Sequence, residues 1–295
     1  MIEAMLRERW GDVSGFSRLA EGLASQAFSF RHDAAEYVVR INGSIAGFEK
    51  DSYVSRRFAS SALPIPEVVS IGRFDEGHAF CISRRAPGVR LHDLDARSSS
   101  QIVNPSLQVM ESIAASDLTG TTGFGPFDAG GAGAYSSWKD FLIGIANAGR
   151  FDWERAGRSA DMGIVSRMLR LVEELAERCP EERSLIHGDF GSYNLLTDGG
   201  RITAVIDWDR AVFGDPLYEV ANLFFWREAC MERVIRRVER SLTDVPRWRE
   251  RVLCYQIRIG LQEIYESAIG EGPTDLAWLT TRCLNIVDST PPHDM

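Results

Sequence analysis

Apolar positions along the chain follow two regimes. Up to about residue 83 they come in short runs separated by turn residues, which predicts strands. The clearest run is YVVRI at 37–41; others are 68–71 and 79–83, joined by a turn at 72–77. Within FSRLAEGLASQAFSF (16–30), two strand-like pieces flank residues 20–25. That predicts a hairpin whose backbone N–H groups could approach phosphate at Gly22. Helical spacing is confined to 1–12 and to 46–61, where Phe48, Tyr53, Val54 and Phe58 fall near one face. The following LPIP (63–66) must run extended. Residues 1–83 therefore read as a small α+β lobe.

In RRAPG (84–88) the proline and glycine break the last strand, and a linker is expected there. From about residue 99 the spacing turns helical, over 102–115, 137–148, 160–179, 217–240, 245–270 and 275–287. A Gly- and Thr-rich loop is expected over 118–134 and a frayed tail over 289–295.

Only 184–209, SLIHGDFGSYNLLTDGGRITAVIDWD, interrupts the helices. Apolar Leu185-Ile186 leads into a loop presenting His187, Asp189 and Asn194. Asp198-Gly199-Gly200 predicts a hairpin turn, and 201–206 a buried returning strand that ends at Asp207. The hairpin should carry Asp207 back toward the loop, although it lies thirteen residues after Asn194. One carboxylate to orient a hydroxyl, with an amide oxygen and a second carboxylate to hold magnesium, is the set that phosphoryl transfer needs. Asp189 takes the first role, as catalytic base, and Asn194 and Asp207 the metal role. His187 reads as a structural residue of the loop. Asp215, before Pro216 at a helical start, reads as a cap and brace. Asp209 reads as a carboxylate for substrate or metal.

Composition narrows the alternatives. The formal charge is −9, so the basic footprint of a nucleic-acid binder is missing. Five scattered cysteines without CxxC spacing fit reduced thiols in a cytoplasmic protein better than zinc or disulfides. The start of the chain has no apolar run for a signal peptide or membrane span. The five histidines do not pair at ligand spacing, which disfavours a metal-dependent hydrolase. Lysine occurs only at positions 50 and 139, which restricts any catalytic lysine.

HGDxxxxN at 187–194 followed by IDW at 206–208 resembles the aminoglycoside phosphotransferase family. The first lobe agrees, with VVRI, a helix, LPIPEVV and ISRRAPG. FASSALPIPEV (58–68), CISRRAPGV (81–89), TGFGPF (122–127), GRITAVIDW (200–208) and YEVANLFFWR (218–227) resemble its hygromycin B branch, and the likeness spans roughly 19–288. The resemblance implies a two-lobed protein-kinase-like fold that uses ATP and Mg2+ to O-phosphorylate a cationic aminocyclitol. It implies a nucleotide-binding lobe at 1–83, a hinge at 84–90 and a catalytic, substrate-binding lobe at 91–295. Gly22 and Ser25 would lie over the phosphates, and the backbone near Ser83 and Arg85 would meet adenine. Arg40 stands where this fold usually has lysine, with Asp51 as its partner, and Lys50 is the alternative phosphate contact. Acceptor contacts are expected from Asp209, Glu219, Asn222, Trp226, Glu263, Tyr265 and Glu266, which offer carboxylates for amines and aromatic walls for rings.

Overall fold

Strand Ala35–Asn42 shows how the first sheet is built. Tyr37, Val39 and Ile41 point to one face, where they pack with Phe30, Phe80 and Ile82 under Met5 and Leu6 of helix Ile2–Trp10. The intervening position, Arg40, points to the opposite face, toward helix Ala46–Phe58. That face has its own small core, Phe48 with Ala79 and Cys81. The computed structural model describes residues 2–19, 26–73, 75 and 77–289. The expected phosphate hairpin at 20–25, with Gly22 and Ser25, lies outside the described residues.

The chain divides into two units. The first comprises Met1–Thr121, Phe127–Ala132 and Ser192–Arg210. Its five-stranded sheet is antiparallel, with strands Ser14–Arg18, Gln26–His32, Ala35–Asn42, Ala79–Arg84 and Val68–Arg73 in spatial order. A second sheet is the hairpin Leu195–Thr197 and Ile202–Val205, extended by Val89–Arg90. The segment after RRAPG is thus a paired strand and not a bare linker. Gly88 permits this: its φ is +102°, and a Cβ there would lie 2.1 Å from the Thr197 carbonyl oxygen. The Thr203 hydroxyl also donates to the Pro87 carbonyl at 2.6 Å.

The second unit comprises Thr122–Pro126, Gly133–Gly191 and Ala211–Met295. Here the expected loop at 118–134 contains strand residues. Phe124–Phe127 and Gly133–Tyr135 join Val212–Gly214 and Ser184–Ile186 in a four-stranded sheet. The two strands in this stretch, FGPF and GAY, are four and three residues long and each contains a glycine, too short to show a strand pattern. The expected helix 217–240 is two, Leu217–Trp226 and Glu232–Ser241. Arg227 turns left-handed, φ 43°, and ends the first. The helix expected over 102–115 is present as Val103–Ala114, and a further short helix, Ala96–Gln101, precedes it.

Candidate active site

In the second unit the HGD loop is held from behind by one helix. Glu219 and Asn222, one turn apart on Leu217–Trp226, both face it. Glu219 Oε2 accepts from the backbone N–H of His187 at 2.6 Å and of Gly188 at 3.2 Å, and Oε1 accepts from Phe190 N–H at 3.3 Å. Asn222 Nδ2 donates to the Gly188 carbonyl at 3.0 Å. His187 is fully buried, and its Nδ1 accepts from Asp189 N–H at 3.2 Å, the structural place expected of it. Half-buried Asp189 is therefore carried on a backbone fixed through its neighbours.

Glu219 and Asn222 were expected to meet substrate; the geometry commits Glu219 to the loop, while Asn222 bonds the loop and also lines the pocket beside it. Sequence spacing could show that they share a helix face, but not which neighbour that face meets. Burial pushes the Glu219 carboxyl up to about 7, against the pull of the three backbone N–H groups. Its folded pKa lies above the ordinary 4.5, so between those values the folded chain keeps a proton that the unfolded chain has released. Stability from this group is full below the unfolded value and is lost as pH rises through the folded one. Relative to Glu219→Gln, wild-type unfolding free energy should fall by roughly 3 kcal/mol from about pH 4 to about pH 8. Turnover should rise over the same range, because three N–H donors need the ionised acceptor. Urea denaturation and a pH–rate profile on both proteins check the two slopes.

A pocket beside the loop is lined by Asp189, Phe190, Gly191, Asn222, Leu223, Trp226, Glu228 and Met231. Trp226 stacks on Trp278, centroids 5.7 Å apart and planes within 5°. Glu228 and Met231 escaped the sequence reading, since they follow the unforeseen helix end at Arg227. Glu263, Tyr265 and Glu266 do not line this pocket. The Tyr265 hydroxyl accepts from Asp152 N–H at 3.1 Å and its ring packs on Phe151 and Trp153. Glu266 Oε1 accepts from Gln262, and Glu263 is buried.

In the first unit the hairpin does what its sequence predicts. Ile206 N–H donates to the Asn194 carbonyl at 3.0 Å, which sets Asn194 opposite the residue before Asp207. Asp207 adopts φ +66°, a conformation costing a non-glycine residue roughly 1–2 kcal/mol, and such strain concentrates at functional sites. Arg40 donates to Asp51 Oδ2, and its Nη1 lies 3.8 Å from Asp207 Oδ1. Burial alone would lower the Arg40 pKa, but Asp51, Cys81 and Asp207 together raise it above the ordinary value, so the guanidinium is cationic. Around Asp207 desolvation raises the carboxyl pKa and Arg40 opposes it. Lys50 points elsewhere: Nζ donates to the Asp209 carbonyl at 2.7 Å and lies 4.7 Å from the Phe127 ring centre. Burial brings the Lys50 pKa down to about 8 despite Asp209 and Asp51. The Asp209 carboxylate sits over Gly47 in the first turn of helix Ala46–Phe58, where a negative charge is favoured.

At the end of strand Ala79–Arg84, Ser83 pairs with both neighbouring strands. The N–H groups of Arg84 and Arg85 donate to Glu67 and Glu36 carbonyls at 2.9 and 3.0 Å. The Arg85 amide is therefore engaged by the sheet and not presented to a purine. Asn194 and Asp207 offer only oxygen donors, a set that fits a hard cation completed by phosphate and water. Among the described residues no group of three His, Cys, Asp or Glu forms a metal cluster.

A strand-rich part with an Arg–Asp pair, followed by a largely helical part with a braced HGD loop, defines a protein-kinase-like phosphotransferase. The profile of the phosphotransferase enzyme family matches residues 15–251, and the chain belongs to that family. It is 47% identical over 293 residues to hygromycin-B 4-O-kinase of Escherichia coli, covering 98% of this chain and 85% of that one. The crystal structure of aminoglycoside phosphotransferase APH(4)-Ia matches with a TM-score of 0.91 at 46% identity, over 98% of both chains. A thermostable mutant of that protein, in ternary complex with AMP-PNP and hygromycin B, matches with a TM-score of 0.92 at 47% identity over 99% of both. The family and the α+β kinase-like fold expected from the sequence are both borne out. No described helix is long and apolar enough to cross a membrane.

Proposed function

We propose that this phosphotransferase moves the γ-phosphoryl group of ATP to the 4-hydroxyl of hygromycin B. The observation that carries the reading is the likeness to a hygromycin-B 4-O-kinase over 98% of the chain. In this reading residues 1–83 bind nucleotide, 84–90 act as a hinge and 91–295 carry the acceptor chemistry. Asp189 orients the acceptor hydroxyl and takes its proton as the new P–O bond forms and the bond from the γ-phosphorus to the β–γ bridging oxygen breaks, releasing ADP. Because the transition state is loose, positioning contributes more than prior deprotonation. That gives Glu219 and Asn222 their value, since they fix the loop's backbone. Asn194 and Asp207 would hold Mg2+, which would supply positive charge to neutralise the phosphates. Arg40, locked by Asp51, steadies Asp207 and faces the phosphate side; Lys50 is committed to Asp209. Trp226, backed by Trp278, forms an apolar wall for the acceptor's rings. A substrate pair of ATP and a cationic drug places the enzyme in the cytoplasm, where its action would confer resistance.

An ATP-consumption assay over a panel of aminoglycosides tests the substrate. Hygromycin B should give turnover well above every other compound. Silence with hygromycin B alongside turnover of another aminoglycoside would retire it as the substrate while keeping the reaction class.

A further inference from the structure

One face of helix Ala46–Phe58 grips the turn that carries Asp207, at three positions. Asp51 Oδ1 accepts from Trp208 N–H at 2.9 Å. Lys50 Nζ donates to the Asp209 carbonyl at 2.7 Å. Gly47 leaves room for the Asp209 carboxylate, whose Oδ1 lies 2.8 Å from where a Cβ would stand. Positions 47, 50 and 51 are spaced i, i+3, i+4, so they share a face. Trp208 between them is buried and donates through Nε1 to the Val205 carbonyl at 3.2 Å. The turn is thus held at the two residues that follow Asp207, whose φ is left-handed and therefore strained.

We propose that Lys50 is a positioning residue for the metal-binding turn: by fixing the Asp209 carbonyl it holds Asp207 in its left-handed conformation, with the carboxylate beside Arg40. The inference rests on the reading of Asp207 as a metal ligand. The lysine is well suited to the task. Its side chain is buried, with the ammonium over the Phe127 ring and donating to a main-chain carbonyl, so it fixes the backbone of the turn directly. Asp51 serves two partners at once, Arg40 through one oxygen and Trp208 through the other, so helix, strand and turn are tied at a single carboxylate.

Hydrogen exchange on the metal-free, nucleotide-free protein gives a readout independent of catalysis. In Lys50→Met, amides of residues 207–210 should exchange at least about ten-fold faster, while strands Gln26–His32 and Ala35–Asn42 keep wild-type protection. Lys50→Arg retains a donor and should restore part of the protection. Gly47→Ala pushes on the Asp209 carboxylate from outside the lysine and should open the same peptides, which keeps the test alive if Lys50→Met does not fold. In titrations with AMP-PNP, Lys50→Met should raise the Mg2+ concentration for half-maximal binding by at least about five-fold and leave binding in EDTA unchanged. Wild-type exchange at 207–210 in both Lys50→Met and Gly47→Ala would overturn the proposal. So would acceleration spread evenly over the first unit, which would make Lys50 a general core brace. Asp207→Asn separates the two assignments. If it keeps the wild-type magnesium dependence of nucleotide binding, Asp207 is not a metal ligand, whereas the exchange result for Lys50 stands by itself.

Discussion

Asp189→Ala should reduce phosphoryl transfer by about 100- to 10,000-fold, the range a positioned general base supplies, with the fold intact. The loop is held through backbone atoms of residues 187, 188 and 190 by Glu219 and Asn222, so removing the Asp189 carboxylate leaves those bonds in place. His187 still presents Nδ1 to the residue-189 amide, which alanine retains. The loss should therefore appear in kcat, with nucleotide affinity and the thermal midpoint close to wild type. Asp189→Asn should behave similarly, since the amide can hold the hydroxyl but cannot take its proton. Steady-state kinetics with a melting curve on the same preparation checks this. Near-normal turnover would remove Asp189 from the role of base, and a lowered midpoint would mean the loop depends on its side chain after all.

Arg251→Met should cost the protein about 3–5 kcal/mol of stability, the penalty for leaving one member of a buried ion pair without its partner. Asp215 is fully buried and Arg251 nearly so. The guanidinium grips both carboxylate oxygens, Nη2 to Oδ1 at 2.7 Å and Nε to Oδ2 at 2.8 Å. The Tyr255 hydroxyl donates to the same carboxylate, and Trp138 Nε1 donates to that hydroxyl at 3.1 Å. Asp215 Oδ1 also accepts from Leu217 N–H at 2.9 Å and so anchors the start of the helix that bears Glu219 and Asn222. Without the arginine, this carboxylate faces burial with hydrogen bonds but no countercharge. For a unit of this size the loss corresponds to a midpoint lower by roughly 6–20 °C. Arg251→Lys should recover only part, because an ammonium cannot make the two-pronged contact. Urea denaturation followed by tryptophan fluorescence measures both variants. A loss under 1 kcal/mol in Arg251→Met would show that the pair contributes little to holding this helix.

Much of this architecture was legible in the chain. The hairpin 195–205 announced itself by Asp198-Gly199-Gly200 between apolar runs, and its register sets Asn194 opposite Ile206. The pairing of Arg40 with Asp51 was implied by the resemblance to the family, and the two side chains meet. The acceptor side was less legible. Glu219, Asn222, Tyr265 and Glu266 are polar residues on helices, and helical spacing reports which residues share a face, not what packs against it. Glu219 reads as a carboxylate open to a ligand until the HGD loop is seen folded onto it. The break at Arg227, which brings Glu228 and Met231 to the pocket, had no proline or glycine to mark it.

Local patterns determined the reaction class. The HGD loop, Asn194 and Asp207 lie within one hairpin-bearing stretch, where turn chemistry and strand pairing act over a few residues and leave their marks in order. The tertiary structure decided which polar groups serve and which support. Lys50 and Asp209, or Glu219 and the His187 amide, lie 159 and 32 residues apart in the chain. Whether such a group meets a ligand or a backbone amide depends on burial and on a partner brought from elsewhere. No local pattern encodes that pairing, so the sequence named the candidates and the packing assigned their partners.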